Sequence, residues 1–248
     1  MTPTLLLAVH GTRDRYGTSV ARTLARGVAR CAGVPVRLGF ADVLTPDVGE
    51  VAATIDGPIV VVPAFLAAGY HVHVDIPAQL ARAGRTAVPA ADADSQRLED
   101  DSAALITDAL GSDDRLVATA ARRLLQAGWR PGDAVVLAAA GSSDTRALAH
   151  VDDAARRLSG ALPVPARVEV GYIATAAPTV AEVVARLRRQ GHDRVAIASW
   201  LLAPGLFHQR LAKAGADTVA DPLCPDNEIA EAGAARYRAA VGRHPVTM

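Results

Sequence analysis

Short unbroken apolar runs alternate along this chain with longer stretches in which apolar residues recur every three or four positions. The runs 4–9 (TLLLAV), 34–42 (VPVRLGFAD), 58–66 (PIVVVPAFL) and 103–110 (AALITDAL) predict strands. Strands apolar at consecutive positions are buried on both faces, as in parallel sheets. The stretches 17–32, with Val20, Leu24 and Val28 on one side, 45–55, entered by Thr45-Pro46, 75–84 and 114–128 predict amphipathic helices. Strand and helix in alternation give an α/β fold with right-handed crossovers. Residues 89–102 (PAADADSQRLEDDS) break the pattern and are expected to form an exposed acidic insertion.

After the turn-rich segment 129–133 (WRPGD) the pattern starts again. AVVLAAAGSSD (134–144) repeats TLLLAVHGTRD (4–14), and 166–184 repeats 34–52. Likewise 194–215 repeats 58–84 with a few residues missing, and 219–242 repeats 106–128. Four matches in the same order indicate a tandem duplication. The chain is expected to form two similar tandem lobes, each a parallel sheet flanked by helices, with domains at 1–129 and 130–248.

The copies serve as controls for each other. Gly11 persists as Gly141 and Gly69 as Gly205, whereas His10 becomes Ala140, Asp42 becomes Ala174 and His71 becomes Phe207. The turn glycines survive in both halves while three chemically active side chains appear in one. His10 ends the first strand, Asp42 ends the second, and His71 follows the third. Ligands of open parallel sheets bind at the carboxyl ends of the strands, so the three are expected to converge at one edge of the first half. Two imidazoles and a carboxylate suit divalent Fe, Co, Ni or Zn. Imidazole also titrates close to neutrality as a residue type, so a role as base is open. His73, two positions past His71, is expected to point the other way in extended backbone. His150, His192, His208 and His244 have no partners in view and are read as surface residues.

Composition narrows the classes. Of the 248 residues 50% are apolar but only 4% aromatic, and the formal net charge is zero. No positive field suited to nucleic acid is present. Lys213 is the single lysine among 26 basic residues. Cys31 and Cys224 stand far apart, outside any C-x-x-C pair, and are read as reduced structural thiols. No run approaches the roughly 18 apolar residues of a membrane span. A cytoplasmic, soluble protein without a membrane partner is expected, with monomer favoured because duplication often replaces a homodimer. The loop HGTRDRYG matches neither the P-loop nor the dinucleotide fingerprint, and no G-x-S-x-G elbow occurs. A phosphatase reading rests on HGTR alone.

A strand ending in HGT, another followed by GFAD and TP, and the run FLAAGYHVHVDIP (65–77) together resemble the sirohydrochlorin chelatases of the class II chelatase family. AAAGSSD and LLAPGLF are similar to the C-terminal half of its long members. The resemblance implies two α/β lobes around a cleft and ATP-independent insertion of a divalent metal into a sirohydrochlorin-type tetrapyrrole. This is a step of siroheme or cobalamin biosynthesis, with iron favoured over cobalt and Ni²⁺ or Zn²⁺ accepted in vitro. It places the metal on His10 and His71, with an acidic residue at the Asp42 position close by, usually Glu. No cofactor beyond the substrate metal is implied. Such a carboxylate-rich macrocycle calls for Arg and N–H donors. Thr12, Arg13 and Gly69 in the first half, and Ser142, Ser143 and Arg146 in the second, are the candidates, with Phe65 and Tyr70 set to face the macrocycle. The alternative is a non-catalytic metal or tetrapyrrole carrier using the same cleft.

Overall fold

A computed structural model describes residues 2–93, 100–111 and 113–242. Its elements, in chain order, begin with β1 (Thr4–Val9), α1 (Arg15–Ala32), β2 (Val36–Phe40), α2 (Val48–Ala52) and β3 (Ile59–Pro63). A π-helical turn (His71–Asp75) then runs into α3 (Ile76–Arg82), followed by β4 (Thr86–Pro89), β5 (Ala103–Ile106) and α4 (Asp114–Gln126). The second series is β6 (Ala134–Ala139), α5 (Thr145–Ala161), β7 (Val168–Tyr172), α6 (Val180–Arg189), β8 (Val195–Trp200), α7 (Leu206–Leu211), β9 (Thr218–Val219) and α8 (Asn227–Gly242).

The strands form two parallel sheets, β2-β1-β3-β5-β4 and β7-β6-β8-β9. β3 and β6 and β8 are buried at every residue, as their unbroken apolar runs predict. Each sheet has its own core. Leu6, Ala8, Val48, Val51, Val61, Ile76 and Leu80 form one. Val136, Ala138, Val180, Val183, Leu187, Ile197 and Leu211 form the other. The tandem α/β architecture is as the pattern predicts.

Several boundaries differ. The helix expected over 45–55 is only α2, because Asp47 starts it and not Thr45-Pro46. The Asp47 carboxylate accepts from Glu50 N at 2.6 Å and the Glu50 carboxylate accepts from Asp47 N at 2.7 Å, a reciprocal cap. The strand run 34–42 ends at Phe40, although Ala41 N still donates to Val9 O and Asp42 N to His10 O. The run 58–66 is strand only to Pro63. Sequence reading missed β4, four residues with an exposed-to-intermediate face, which pairs with β5 at the sheet edge. Residues 94–99 of the acidic stretch, and His244, lie outside the described residues.

The compact units do not follow the repeat boundary at 129/130. One consists of the chain to Leu110 together with the segment from Asn227, and the other is Gly111–Asp226. Helix α4, the last helix of the first repeat, packs on α5 and β8. Helix α8, the last of the second repeat, packs on α1 and β3. The repeats therefore exchange their terminal helices. Small residues let α8 lie close to α1: Gly27 faces Ala230 and Gly233 faces Val28. Tyr237 donates to Pro3 O at 2.7 Å and Arg238 to Cys31 O at 2.9 Å, fixing the helix along the first sheet.

Candidate metal centre

In the first sheet β1 connects to β2 on one side, and the chain then crosses to β3 on the other. The strand order reverses between β1 and β3. Crevices at such points, at the carboxyl ends of the strands, are where ligands of this architecture bind. His10 follows β1, Asp42 lies two residues beyond β2, and His71 opens the π-helical turn after β3.

The structure brings these three together. One donor atom from each of His10, Asp42 and His71 lies within 4.8 Å of the other two. Two donors about 2.1 Å from one ion are at most about 4.2 Å apart, so the trio is at coordination range or within a small side-chain rotation of it. The His10 and His71 rings meet edge to face, centroids 4.6 Å apart at 84°. His10 and Asp42 are exposed and His71 is half-buried, so the donors face outward.

Local structure aims the ring nitrogens. Nδ1 of His71 lies 2.6 Å from Asp75 Oδ2. Donation from Nδ1–H to this carboxylate fixes the tautomer that leaves the Nε2 lone pair for a metal. His10 Nδ1 is 3.1 Å from Gly11 O, and the same tautomer follows. Gly11 has φ +93°, and a Cβ there would overlap the carbonyl oxygen of Asp42. The absent side chain lets the Asp42 loop close onto the end of β1. Gly141 at φ +97° faces Ala174 O in the same way in the second unit, which retains the turn without the donors.

Other expected residues fall as follows. The Phe65 ring lies 6.3 Å from His10 and 6.0 Å from His71, nearly stacked on the latter at 29°. Tyr70 is 62% exposed, with its ring edge-on to His71 at 6.4 Å. Gly69 serves the backbone: its carbonyl accepts from Val72 N and His73 N at the start of the π-helical turn. Thr12 Oγ1 accepts from Asp14 N, and Asp14 caps α1. Arg13 is exposed. In the second unit Ser142 Oγ accepts from Asp144 N as Thr12 does from Asp14, and Ser143 is exposed. The Arg146 guanidinium is committed to Asp144, Nη2 to Oδ2 at 2.8 Å.

Two expectations are corrected. His73 is not in extended backbone. Residues 71–75 are helical, and His73 is set apart from His71 because residues two positions apart on a helix do not share a side. The pairing of Phe207 with His71 holds only when counted from Gly69 and Gly205. Counted back from Gly84 and Gly215, Phe207 falls opposite Ile76. It packs beside Leu211 as Ile76 packs beside Leu80. The first unit therefore carries an additional helical turn, and that turn bears His71 and Asp75. Asp75 itself was missed; its signal was the four-residue spacing from His71 in HVHVD.

Comparison with known proteins identifies the fold and the family. SirB from Bacillus subtilis with Fe³⁺ superposes with a TM-score of 0.75 at 21% identity, over 97% of this chain and 96% of that one. SirB from Bacillus subtilis subspecies spizizenii, a sirohydrochlorin chelatase in complex with cobalt, gives 0.72 at 19%, over 98% and 96%. CbiX, described as the terminal enzyme for biosynthesis of siroheme in denitrifying bacteria, gives 0.67 at 21%, over 96% and 99%. The fold is that of the sirohydrochlorin chelatases. The CbiX family model matches residues 4–127 and again 134–240, once per repeat, and the chain belongs to the CbiX family. No curated protein matches it in sequence. Among the described residues no helix is long and apolar enough to cross a membrane.

Proposed function

We propose that this protein inserts a divalent metal ion into a sirohydrochlorin-type tetrapyrrole without nucleotide hydrolysis. Fe²⁺ is the first candidate and Co²⁺ the second. The observation that carries the reading is the convergence of His10, Asp42 and His71 at the switch point of the first sheet in a member of the CbiX family.

Metallation requires a partly dehydrated ion on exchangeable ligands and the departure of two pyrrole N–H protons. Three protein donors leave coordination positions for the macrocycle nitrogens. The Nε2 lone pairs of His10 and His71 hold the ion. As the ion passes to the ring, those lone pairs become available to accept the protons. The Asp75 carboxylate, on the far side of the His71 ring, stabilises the imidazolium that results. Phe65 and the exposed Tyr70 present aromatic surface beside the donors for the macrocycle. Thr12 and Arg13 are the proposed contacts for its carboxylates. The donor set accepts iron and cobalt alike, so metal supply decides between them.

The test is anaerobic incubation of the purified protein with sirohydrochlorin and Fe²⁺ or Co²⁺, followed by visible absorbance. Metallation about 100-fold above the spontaneous rate is expected, the size of a general-base contribution. A rate equal to the protein-free control for both metals contradicts the proposal.

A further inference from the structure

We infer that Gln79 is a positioning residue that holds Asp42 in register with His71 for metal capture. The inference rests on the reading of His10, Asp42 and His71 as metal donors.

Gln79 stands on α3 four residues after Asp75 and eight after His71, so one continuous helical segment presents all three. Its side chain is buried, 8% exposed, and both ends of the amide are used. Nε2 donates to Ala41 O at 2.7 Å and Oε1 accepts from Val48 N at 3.0 Å. Ala41 immediately precedes Asp42, and Val48 is the first residue of α2. A single side chain therefore clasps the two ends of the 42–47 loop and ties them to the helix that bears His71. The backbones also meet there, since a Cβ on Gly49 of α2 would overlap the Gln79 carbonyl oxygen. The clasped loop is strained. Val43, a β-branched residue, sits at φ 71°, a conformation that persists only when its surroundings impose it.

The second unit shows that the loop does not need this clasp to fold. Its counterpart, residues 174–179, has the same features. Thr175 is at φ 64°, Tyr172 N donates to Pro178 O, and Thr179 and Glu182 form the reciprocal cap. Counted back from Gly215 as Gln79 is from Gly84, the equivalent residue is Arg210. It is exposed and lies over the Phe207 ring at 5.6 Å. The glutamine occurs in the copy whose loop carries a metal donor and is replaced in the copy whose loop carries Ala174. Its role is therefore to place Asp42, beyond building the loop.

The experiment is a double-mutant cycle on the full chain, read by Co²⁺ titration in visible absorption with thermal melting alongside. Gln79→Met keeps length and removes both hydrogen bonds. Gln79→Glu keeps the acceptor for Val48 N and removes the donor to Ala41 O. Gln79→Met is expected to raise the Co²⁺ Kd about 10-fold, the low end for residues that orient metal ligands, and to alter the d–d bands. In an Asp42→Ala background the same change is expected to alter Kd by less than about 2-fold. Gln79→Glu is expected to follow the same dependence at smaller size, which decides the matter if the methionine variant does not fold. An unchanged Kd and spectrum in the single variants, or an equal loss in both backgrounds, overturns the inference. Failure of the underlying reading looks different: His10→Ala and His71→Ala would then leave Co²⁺ binding unchanged.

Discussion

His71 and Asp75 are joined through Nδ1 and Oδ2 at 2.6 Å across a single π-helical turn, and the copied half of the chain lacks that turn. The pair links sequence to chemistry directly. An extra turn of helix supplies both a metal-directed imidazole and the carboxylate that orients it. Asp75→Ala is expected to weaken Co²⁺ binding about 10-fold while the melting temperature stays near wild type. Isothermal titration with Co²⁺ measures this. Unchanged affinity would show that the His71 ring is held by other means.

Gly11 sets the spacing between β1 and the Asp42 loop. In Gly11→Ala a side chain is forced into the left-handed region and against Asp42 O. The two effects together are expected to remove about 3 kcal/mol of stability, or roughly 6–12 °C in melting temperature for a chain of this size. A melt within about 2 °C of wild type would mean that the loop yields easily.

Asp217 bridges β8 and β9. It accepts from Val195 N at 2.8 Å and from Arg188 Nη2 at 2.6 Å. The Val195 hydrogen bond, followed by the Arg188 guanidinium, holds its carboxyl below the usual aspartate value despite an opposing effect of burial. A carboxyl depressed in the folded state stabilises above its unfolded value, about 3.9. That contribution is lost as pH falls through 3.9 toward the folded-state value. Asp217→Asn is expected to lower the melting temperature by roughly 2–4 °C at pH 7, with the gap closing as pH falls through the folded-state value. A gap independent of pH would assign the effect to packing.

Cys224 is buried, and burial pushes its thiol up to about 12. At pH 8 its thiolate fraction is on the order of 10⁻⁴. Cys31 is half-buried, and burial followed by Glu231 raises its thiol as well. Ellman's reagent is expected to titrate Cys31 slowly in the native protein and Cys224 only after denaturant is added. Prompt reaction of both thiols would contradict the placement of Cys224.

The strands were legible because β3, β6 and β8 are apolar at nearly every position, a pattern only a two-sided burial explains. His10 and Asp42 were legible because the duplication replaces each with alanine while keeping Gly11, whereas His71 was found through the Gly69–Gly205 match although the copy lacks the turn that carries it. Asp75 was within the same run, but its relation to His71 depends on a helical turn where extended backbone was expected. Gln79 left no signal, since its partners are backbone atoms of residues 41 and 48, distant in sequence and joined to it only by the fold. The exchange of α4 and α8 was equally silent. A repeat boundary fixes where a copy ends and says nothing about which sheet its last helix covers.

The most direct measurement is the initial rate of sirohydrochlorin metallation by His10→Ala, His71→Ala and the double variant, compared with wild type under identical anaerobic conditions. The expected result is a fall in each single variant to near the protein-free rate, about 100-fold below wild type. The double variant should be little worse than either, since both imidazoles act on one ion. Metallation at the wild-type rate by either single variant would contradict the assignment of the metal to this pair.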